Sequence, residues 1–342
     1  MGHKRLRFLG VLAVAMVLAM ACGGSSGGGS TKTIKVGLVT DTGGLNDKSF
    51  NHLAYVGLQN AIHQLGVNGQ VIESHAQADY VPNLTNFAQK NYDLVIGNGF
   101  LMQPAVGTVA AQFPNVKFAI VDGAGTDANF NDLKQSNVED LFFKEQESGA
   151  LVGAIAGLLE KGNKAPKNTH VISAVGGIKI PPVDHYIAGY QWAAKMYDPQ
   201  MKVLVGYSND FNATDKCKGV ADSQIAGGSE FVFQVAGGCG LGALQAAGQA
   251  HVYSFGVDAD QKDADPSVVA SALKKVDVAV YDAIKSVVDG KFKGGATRFS
   301  LANDATGYQV DNFSLPADIK SQVDALAASM KSGSKVPPDT VS

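Results

Sequence analysis

The chain has 342 residues, 45% of them hydrophobic, and a formal charge of −3 at neutral pH. That is enough apolar material for two compact domains of ordinary size, and a mildly acidic balance without a basic block or Arg/Lys stripe excludes nucleic acid as a partner. After the N-terminal segment no run reaches 18 uninterrupted apolar residues, which excludes a later membrane-spanning helix.

Lys4, Arg5 and Arg7 precede an apolar run over residues 8–21 that stops at Cys22. At about 14 residues it is shorter than the roughly 20 needed to cross a bilayer, so residues 1–21 read as a cleaved export signal. Cys22 and the Gly/Ser-rich stretch behind it, residues 22–33, resemble the lipidated cysteine and flexible tether of a bacterial lipoprotein, although Leu18 stands one place earlier than the usual lipobox leucine. Acyl chains on Cys22, palmitate among them, would hold the domain at the extracytoplasmic face of the cell membrane. Loss of residues 1–21 removes three basic side chains and no acidic ones, taking the formal charge to −6. Cys217 and Cys239 then remain as a pair in an oxidising compartment. A disulfide is preferred there over a metal site or two buried thiols, because no His or further Cys lies nearby at ligand spacing.

From residue 34 the pattern is strand, turn, helix, repeated. Strands are predicted over residues 34–40, 71–74, 94–96 and 118–121, and helices over 50–65, 81–90 and 103–112. The alternation then restarts. Helices over 147–159, 183–197, 215–225 and 241–250 separate strands over 171–174, 202–206, 231–233 and 252–255. Short apolar strands alternating with helices imply parallel sheets covered on both faces, here two doubly wound α/β lobes. Val276, Val280, Ile284 and Val287 mark a late helix and residues 298–302 a late strand, a tail able to cross to the first lobe and return. The lobes are expected over residues 34–142 plus 273–297 and 143–272 plus 298–342.

In open parallel sheets a ligand sits beyond the carboxyl ends of the strands. Polar, glycine and aromatic residues concentrate there: 41–51, Gly97-Asn98-Gly99-Phe100 and Asp122-Gly123-Ala124-Gly125 in the first half. The second half has Gly176-Gly177, Asn209-Asp210-Phe211, residues 234–238 and Gly256-Val257-Asp258. A single Asp at a strand end is usually a helix N-cap, the ordinary reading of Asp41 and Asp215. Several such loops together point to a cleft.

Val39-Thr40-Asp41-Thr42-Gly43-Gly44 with Asp47-Lys48-Ser49-Phe50-Asn51, then residues 232–238, then Gly256-Val257-Asp258, resemble the basic membrane protein family of substrate-binding lipoproteins, which includes bacterial purine nucleoside receptors. The resemblance runs along the whole mature chain. It implies a type I periplasmic-binding-protein fold with a three-crossover hinge, a monomer, an ABC permease as partner and a purine nucleoside as ligand. Carried over residue by residue, it has Phe50 and Phe233 sandwich the base and Asp122 with Asn51 or Asp47 read its polar edge. Asp258, Gly238 and Lys274 would hold the ribose, with Asp41 close by. Departures from the nucleoside receptors are Gly97-Asn98-Gly99 and the loop Ile178-Lys179-Ile180-Pro181-Pro182, whose lysine could meet an anion. Other readings are a sugar or other small polar ligand, or a sensory lipoprotein not coupled to import.

An enzyme is not expected. The chain has no Gly-x-Ser-x-Gly elbow, phosphate-binding Gly-x-x-x-x-Gly-Lys-Ser/Thr loop or His-Glu-x-x-His, and its histidines show no pairing at ligand spacing. No cofactor or metal is expected. A nucleoside hydrolase built on Asp41, Asp47 and Asp122 is the enzymatic alternative.

Overall fold

The computed structural model describes residues 33–310 and 312–342; the expected leader and Cys22 lie outside them. In the first half, β1 (Lys35–Val39), α1 (Phe50–Leu65), β2 (Asn68–Ile72), α2 (Tyr80–Gln89), β3 (Leu94–Asn98), α3 (Gln103–Gln112), β4 (Lys117–Val121) and β5 (Val138–Phe143) follow one another. The second half repeats the plan. It runs α4 (Glu145–Lys161), β6 (Val171–Gly176), α5 (Pro181–Tyr197), β7 (Lys202–Tyr207), α6 (Thr214–Ala226), β8 (Phe231–Val235), α7 (Gly240–Gln249), β9 (Tyr253–Asp258) and β10 (Val268–Lys274). The chain ends with α8 (Val276–Val288), β11 (Gly295–Phe299), β12 (Thr306–Gln309) and α9 (Ala317–Lys331).

Two six-stranded sheets result, ordered β2-β1-β3-β4-β5-β11 and β7-β6-β8-β9-β10-β12. The pairings are parallel except β10 with β12. Their apolar runs explain the parallel arrangement: Val36, Leu38, Leu94, Ile96, Phe118 and Ile120 in one sheet, and Ile172, Phe231, Phe233 and Phe255 in the other, are almost fully buried, as strands covered on both faces require. In each lobe the strand order reverses at its first strand, β1 or β6, which opens a crevice at the carboxyl ends.

The chain passes between the sheets at Lys144, Lys275 and Ser300, the three segments of a hinge. Backbone bonds tie these segments to one another and to the strands, Lys144 N–H to Phe299 O at 2.9 Å and Lys275 N–H to Ala305 O at 2.9 Å. Ser148 Oγ donates to Leu273 O at 2.6 Å, and Glu147 Oε2 accepts from the Leu301 N–H at 2.6 Å.

The sequence reading missed β5, β10, β12 and α9 and set the late strand at 298–302. Strand β11 instead ends at Phe299, where Ser300 caps a 3₁₀ turn over Leu301–Asn303. In β5 the acidic pair Glu139 and Asp140 hides the strand signal, while in the fold Asp140 is buried with its carboxyl pushed up to about 6 by that burial.

Helices α4 and α5 touch backbone to backbone along a glycine seam. A Cβ on Gly149 would stand 2.1 Å from Tyr186 O, and one on Gly189 2.0 Å from Gln146 O. This contact sets where the N-terminal halves of α4 and α5, carrying Glu145, His185 and Tyr186, lie against the cleft. Gly149→Ala is expected to lower the unfolding free energy by about 1–3 kcal/mol through overpacking. Gly219→Ala, in a helix position where a Cβ meets nothing within 4 Å, should be neutral or stabilising by up to about 1 kcal/mol. Urea denaturation of both variants checks the contrast.

Candidate functional site

Between the lobes lies a cleft of about 590 Å³, its open mouth included, lined from one side by Asp41, Asp47, Phe50, Asn51, Phe100 and Asp122 and from the other by Tyr186, Phe211, Val235, Gly237, Asp258 and Lys274. The lining comes from the strand ends where the crevices open.

Asp47 caps α1. Its Oδ1 accepts the N–H groups of Ser49 at 2.9 Å and His52 at 3.0 Å, and its Oδ2 that of Asn51 at 2.8 Å. Burial, aided by Asp258, pushes its carboxyl up to about 6 against those bonds. Asn51 Oδ1 accepts from Asp41 N–H at 3.1 Å and Asn98 Nδ2 at 2.9 Å, which turns its amide nitrogen toward Gly43 on the cleft wall. Asp41 is bonded by the Tyr80 hydroxyl and by Thr42 N–H at 2.6 Å, yet burial still holds its carboxyl above the usual range.

Lys274 closes the floor. Its ammonium, only 1% exposed as a residue, lies 2.6 Å from Asp122 Oδ2 and 2.9 Å from Glu145 Oε1, and 5.1 and 4.9 Å from the ring centres of Phe50 and Phe143. Burial alone would drive this amine down; the carboxylates of Asp122, Glu145 and Asp258 more than reverse it and hold the charge in place. Glu145 is also bonded by His185 Nδ1 at 3.0 Å. With one ammonium shared between two carboxylates, and Glu145 taking the imidazole as well, burial leaves the Asp122 carboxyl raised. Its Oδ1 is buried without a hydrogen-bond partner. Asp122 and Asp258 hold equivalent strand ends in left-handed backbone, φ 65° and 60°, the local strain that functional turns tolerate.

Asp258 joins the lobes. Ser49 Oγ of the first donates to its Oδ2 at 2.7 Å, and Tyr186 OH of the second to its Oδ1 at 2.9 Å. Asn212 Nδ2 to Thr42 O at 2.7 Å and Gln261 Nε2 to Lys48 O at 3.3 Å also cross the gap, so the lobes are closed on one another.

The cleft thus gathers Asp41, Asp47, Phe50, Asn51, Asp122, Asp258 and Lys274. It does not gather Phe233. That ring is fully buried in the second lobe's core, 5.1 Å from the ring of Tyr190 and edge-on to Phe255 at 6.5 Å, because its side of β8 faces α5. The second-lobe phenylalanine on the cleft wall is Phe211, whose ring rests where a Cβ of Gly177 would be, 2.4 Å away. The turn Asn209-Asp210-Phe211 carries the polar-aromatic signal that marks it, but no pattern in sequence separates it from a core ring in a strand. Gly237 rather than Gly238 lines the cleft; Gly238 packs against Asp47. Lys179 is not among the cleft-lining residues: its ammonium stands over the Tyr207 ring at 5.3 Å and 3.9 Å from Asp184. Ser49 stood in the strand-end motif without a role, and Glu145 and Tyr186 had no signal in sequence, since Ser49 meets Asp258 only across the closed lobes and Tyr186 meets it only through the packing of α5 on the second lobe. Cys217 and Cys239 are joined by a disulfide, their Cα atoms 5.6 Å apart.

Two doubly wound lobes, a three-segment hinge and a polar cleft between them define a type I solute-binding protein, a fold built to close on a small ligand. The chain belongs to the PnrA-like substrate-binding proteins of ABC transporters, whose family pattern matches residues 34–339. It is 33% identical to an uncharacterized lipoprotein of Pyrococcus abyssi over 89% of this chain and 76% of that one. It is 31% identical to the ABC transporter nucleoside-binding protein BmpA of Lactococcus lactis subsp. cremoris, over 90% of this chain and 92% of that one. Among solved structures, an ABC transporter solute-binding protein of Aeropyrum pernix K1 superposes with a TM-score of 0.80 at 27% identity, covering 89% and 94% of the two chains. Family and fold indicate a binding role. Among the described residues no helix is long and apolar enough to cross a membrane.

The raised carboxyl of Asp47 has a consequence for stability. Between about 4 and 6 the folded protein holds a proton there that the unfolded chain has released, so this contribution is full below pH 4 and lost as pH rises through 6. Asp47→Asn, which keeps a capping side chain, should reduce the fall in unfolding free energy between pH 4.5 and 7.5 by up to about 2 kcal/mol, measured by urea denaturation.

Proposed function

We propose that the protein binds a purine nucleoside in this cleft and delivers it, as a lipid-anchored monomer held through Cys22 at the extracytoplasmic face, to an ABC permease. The observation that carries the ligand class is the unpartnered Asp122 Oδ1, buried on the floor of a cleft walled by Phe50 and Phe211 from opposite lobes. A buried carboxylate oxygen left open favours a ligand N–H or O–H, and the Asn51 amide nitrogen in the same cleft supplies a donor. A heterocycle edge that pairs an acceptor with an N–H meets both, while the two phenylalanine faces suit a flat base. At Asp258 each carboxylate oxygen keeps capacity for a second hydrogen bond beyond those from Ser49 and Tyr186, as a ribose diol requires.

Charge narrows the class further. Asp41, Asp47, Asp122 and Asp258 line the cleft with Glu145 behind them, against the single lysine Lys274 among the lining residues. A phosphorylated ligand would meet this field unfavourably, so a nucleoside fits and a nucleotide does not. Ligand contacts to both lobes favour the closed state and shift the population toward it, which presents a closed outline to the permease.

The test is a thermal-shift panel of nucleosides, nucleotides, free bases, sugars and amino acids on protein refolded from denaturant to strip carried-over ligand. Stabilisation by inosine, guanosine or adenosine and none by their monophosphates is expected; stabilisation by sugars or amino acids alone would overturn the assignment. Phe211→Ala should weaken inosine binding by about 1–3 kcal/mol, roughly 5- to 150-fold, with little change in the free protein's stability. Phe233→Ala should instead cost about 3–5 kcal/mol of stability through the cavity it leaves. Calorimetric titration and urea denaturation of both variants separate the two roles.

A further inference from the structure

We propose that the Cys217–Cys239 disulfide is a positioning element of the binding site, holding the turn that carries Phe211 at the ligand-facing wall. The inference rests on the stacking role given to Phe211 above. The turn over residues 209–213 is part-buried, with Asn209 and Asn212 exposed, and begins with Asn209 in left-handed backbone, φ 56°. Much of its hydrogen bonding is local: Asp210 Oδ1 accepts from the N–H groups of Asn212 at 2.8 Å and Ala213 at 3.0 Å, and Ser208 Oγ donates to Asp210 O at 2.9 Å. Such bonds shape the turn, and Asn209 N–H to Gly177 O at 3.0 Å ties its first residue to the lobe, which leaves the Phe211 end to be fixed from elsewhere.

What fixes the Phe211 end lies across the crevice of the second sheet. Phe211 O accepts the N–H of Cys239 at 2.9 Å, and the Phe211 ring lies against Gly177. Cys239 ends the 3₁₀ turn Gly237–Cys239, whose first residue lines the cleft, and Cys217 sits in α6 directly behind the Phe211 turn. The disulfide therefore ties the helix that follows Phe211 to the residue that hydrogen-bonds its carbonyl. The contact of Asn212 with Thr42 O belongs to the other lobe and is lost when the lobes part. In the open protein, before ligand arrives, the staple keeps the ring presented. Both sulfurs are fully buried, so the bond is shielded from reductants while α6 stays packed on α7.

A double-mutant cycle tests this. Inosine affinity is measured by calorimetric titration for the parent, Phe211→Ala, Cys217→Ala/Cys239→Ala and the combined variant. The disulfide-free protein should bind about tenfold more weakly, and the combined variant should bind within about threefold of Phe211→Ala, because removing the ring leaves the staple nothing to position. A disulfide-free protein that binds as tightly as the parent, or losses that multiply in the combined variant, would overturn the inference. If Phe211→Ala itself binds like the parent, the stacking reading fails instead, and the two failures are distinguishable. Circular dichroism establishes that each variant is folded. If the alanine pair does not fold, Cys217→Val/Cys239→Ala, which refills much of the sulfur volume, enters the same cycle under the same criteria.

Discussion

One buried ammonium organises this molecule. Lys274 ends a strand of the second sheet, Asp122 follows a strand of the first, and Glu145 opens the helix that leaves the hinge; all three meet with the charge almost entirely out of water. A buried cation deprived of a partner is costly by several kcal/mol, so each neighbour is constrained by the others. The hinge segments at Lys144 and Lys275 flank these same groups, which places the pivot of the lobes and the floor of the cleft at one point. Closing the lobes and completing the site are therefore the same event.

The site also depends on contacts far from the ligand. Backbone-to-backbone packing of α4 on α5 across Gly149 and Gly189 brings His185 to Glu145 and aims Tyr186 at Asp258. Ser49 approaches Asp258 from the opposite lobe, and its own position follows from the Asp47 cap that starts α1. Packing, capping and electrostatics thus converge on two carboxylates, Asp122 and Asp258, held at matching strand ends in the same unusual backbone conformation. That equivalence follows from the repeated strand order of the two sheets. The lobes nonetheless contribute differently, one an oxygen left open, the other a carboxylate already bridging both halves.

An acidic cleft with its single cation tied up favours neutral ligands rich in donors. Those of the four lining carboxyl groups that stay ionised repel added negative charge more strongly in these partly desolvated surroundings than they would in water. The upward shifts at Asp41, Asp47, Asp122 and Asp258 express the same desolvation, and an incoming ligand that donates to these groups relieves part of it. Binding and closure then reinforce one another, which suits a protein that must present one shape when loaded and another when empty.

Local pattern was sufficient for the alternation of strands and helices, the two-lobe α/β architecture and the chemical character of the strand-end loops, because short apolar strands and glycine-rich, acidic turns are properties of neighbouring residues. The same pattern missed β5, where two acidic residues break the apolar run, and the four-residue β12, which exists through its pairing with β10. Most of the cleft residues were legible as polar groups at strand ends. Their duties were not. Whether Asp47 caps a helix or meets a ligand, whether Lys274 is solvated or buried between carboxylates, and which of Phe211 and Phe233 faces the cleft depend on the side of a strand turned inward and on which lobe closes over it. Those are relations between segments far apart in the chain, 209 residues in the case of Ser49 and Asp258, and only the tertiary structure decides them, since burial and partner are set by packing and not by the residue's own neighbours in the chain.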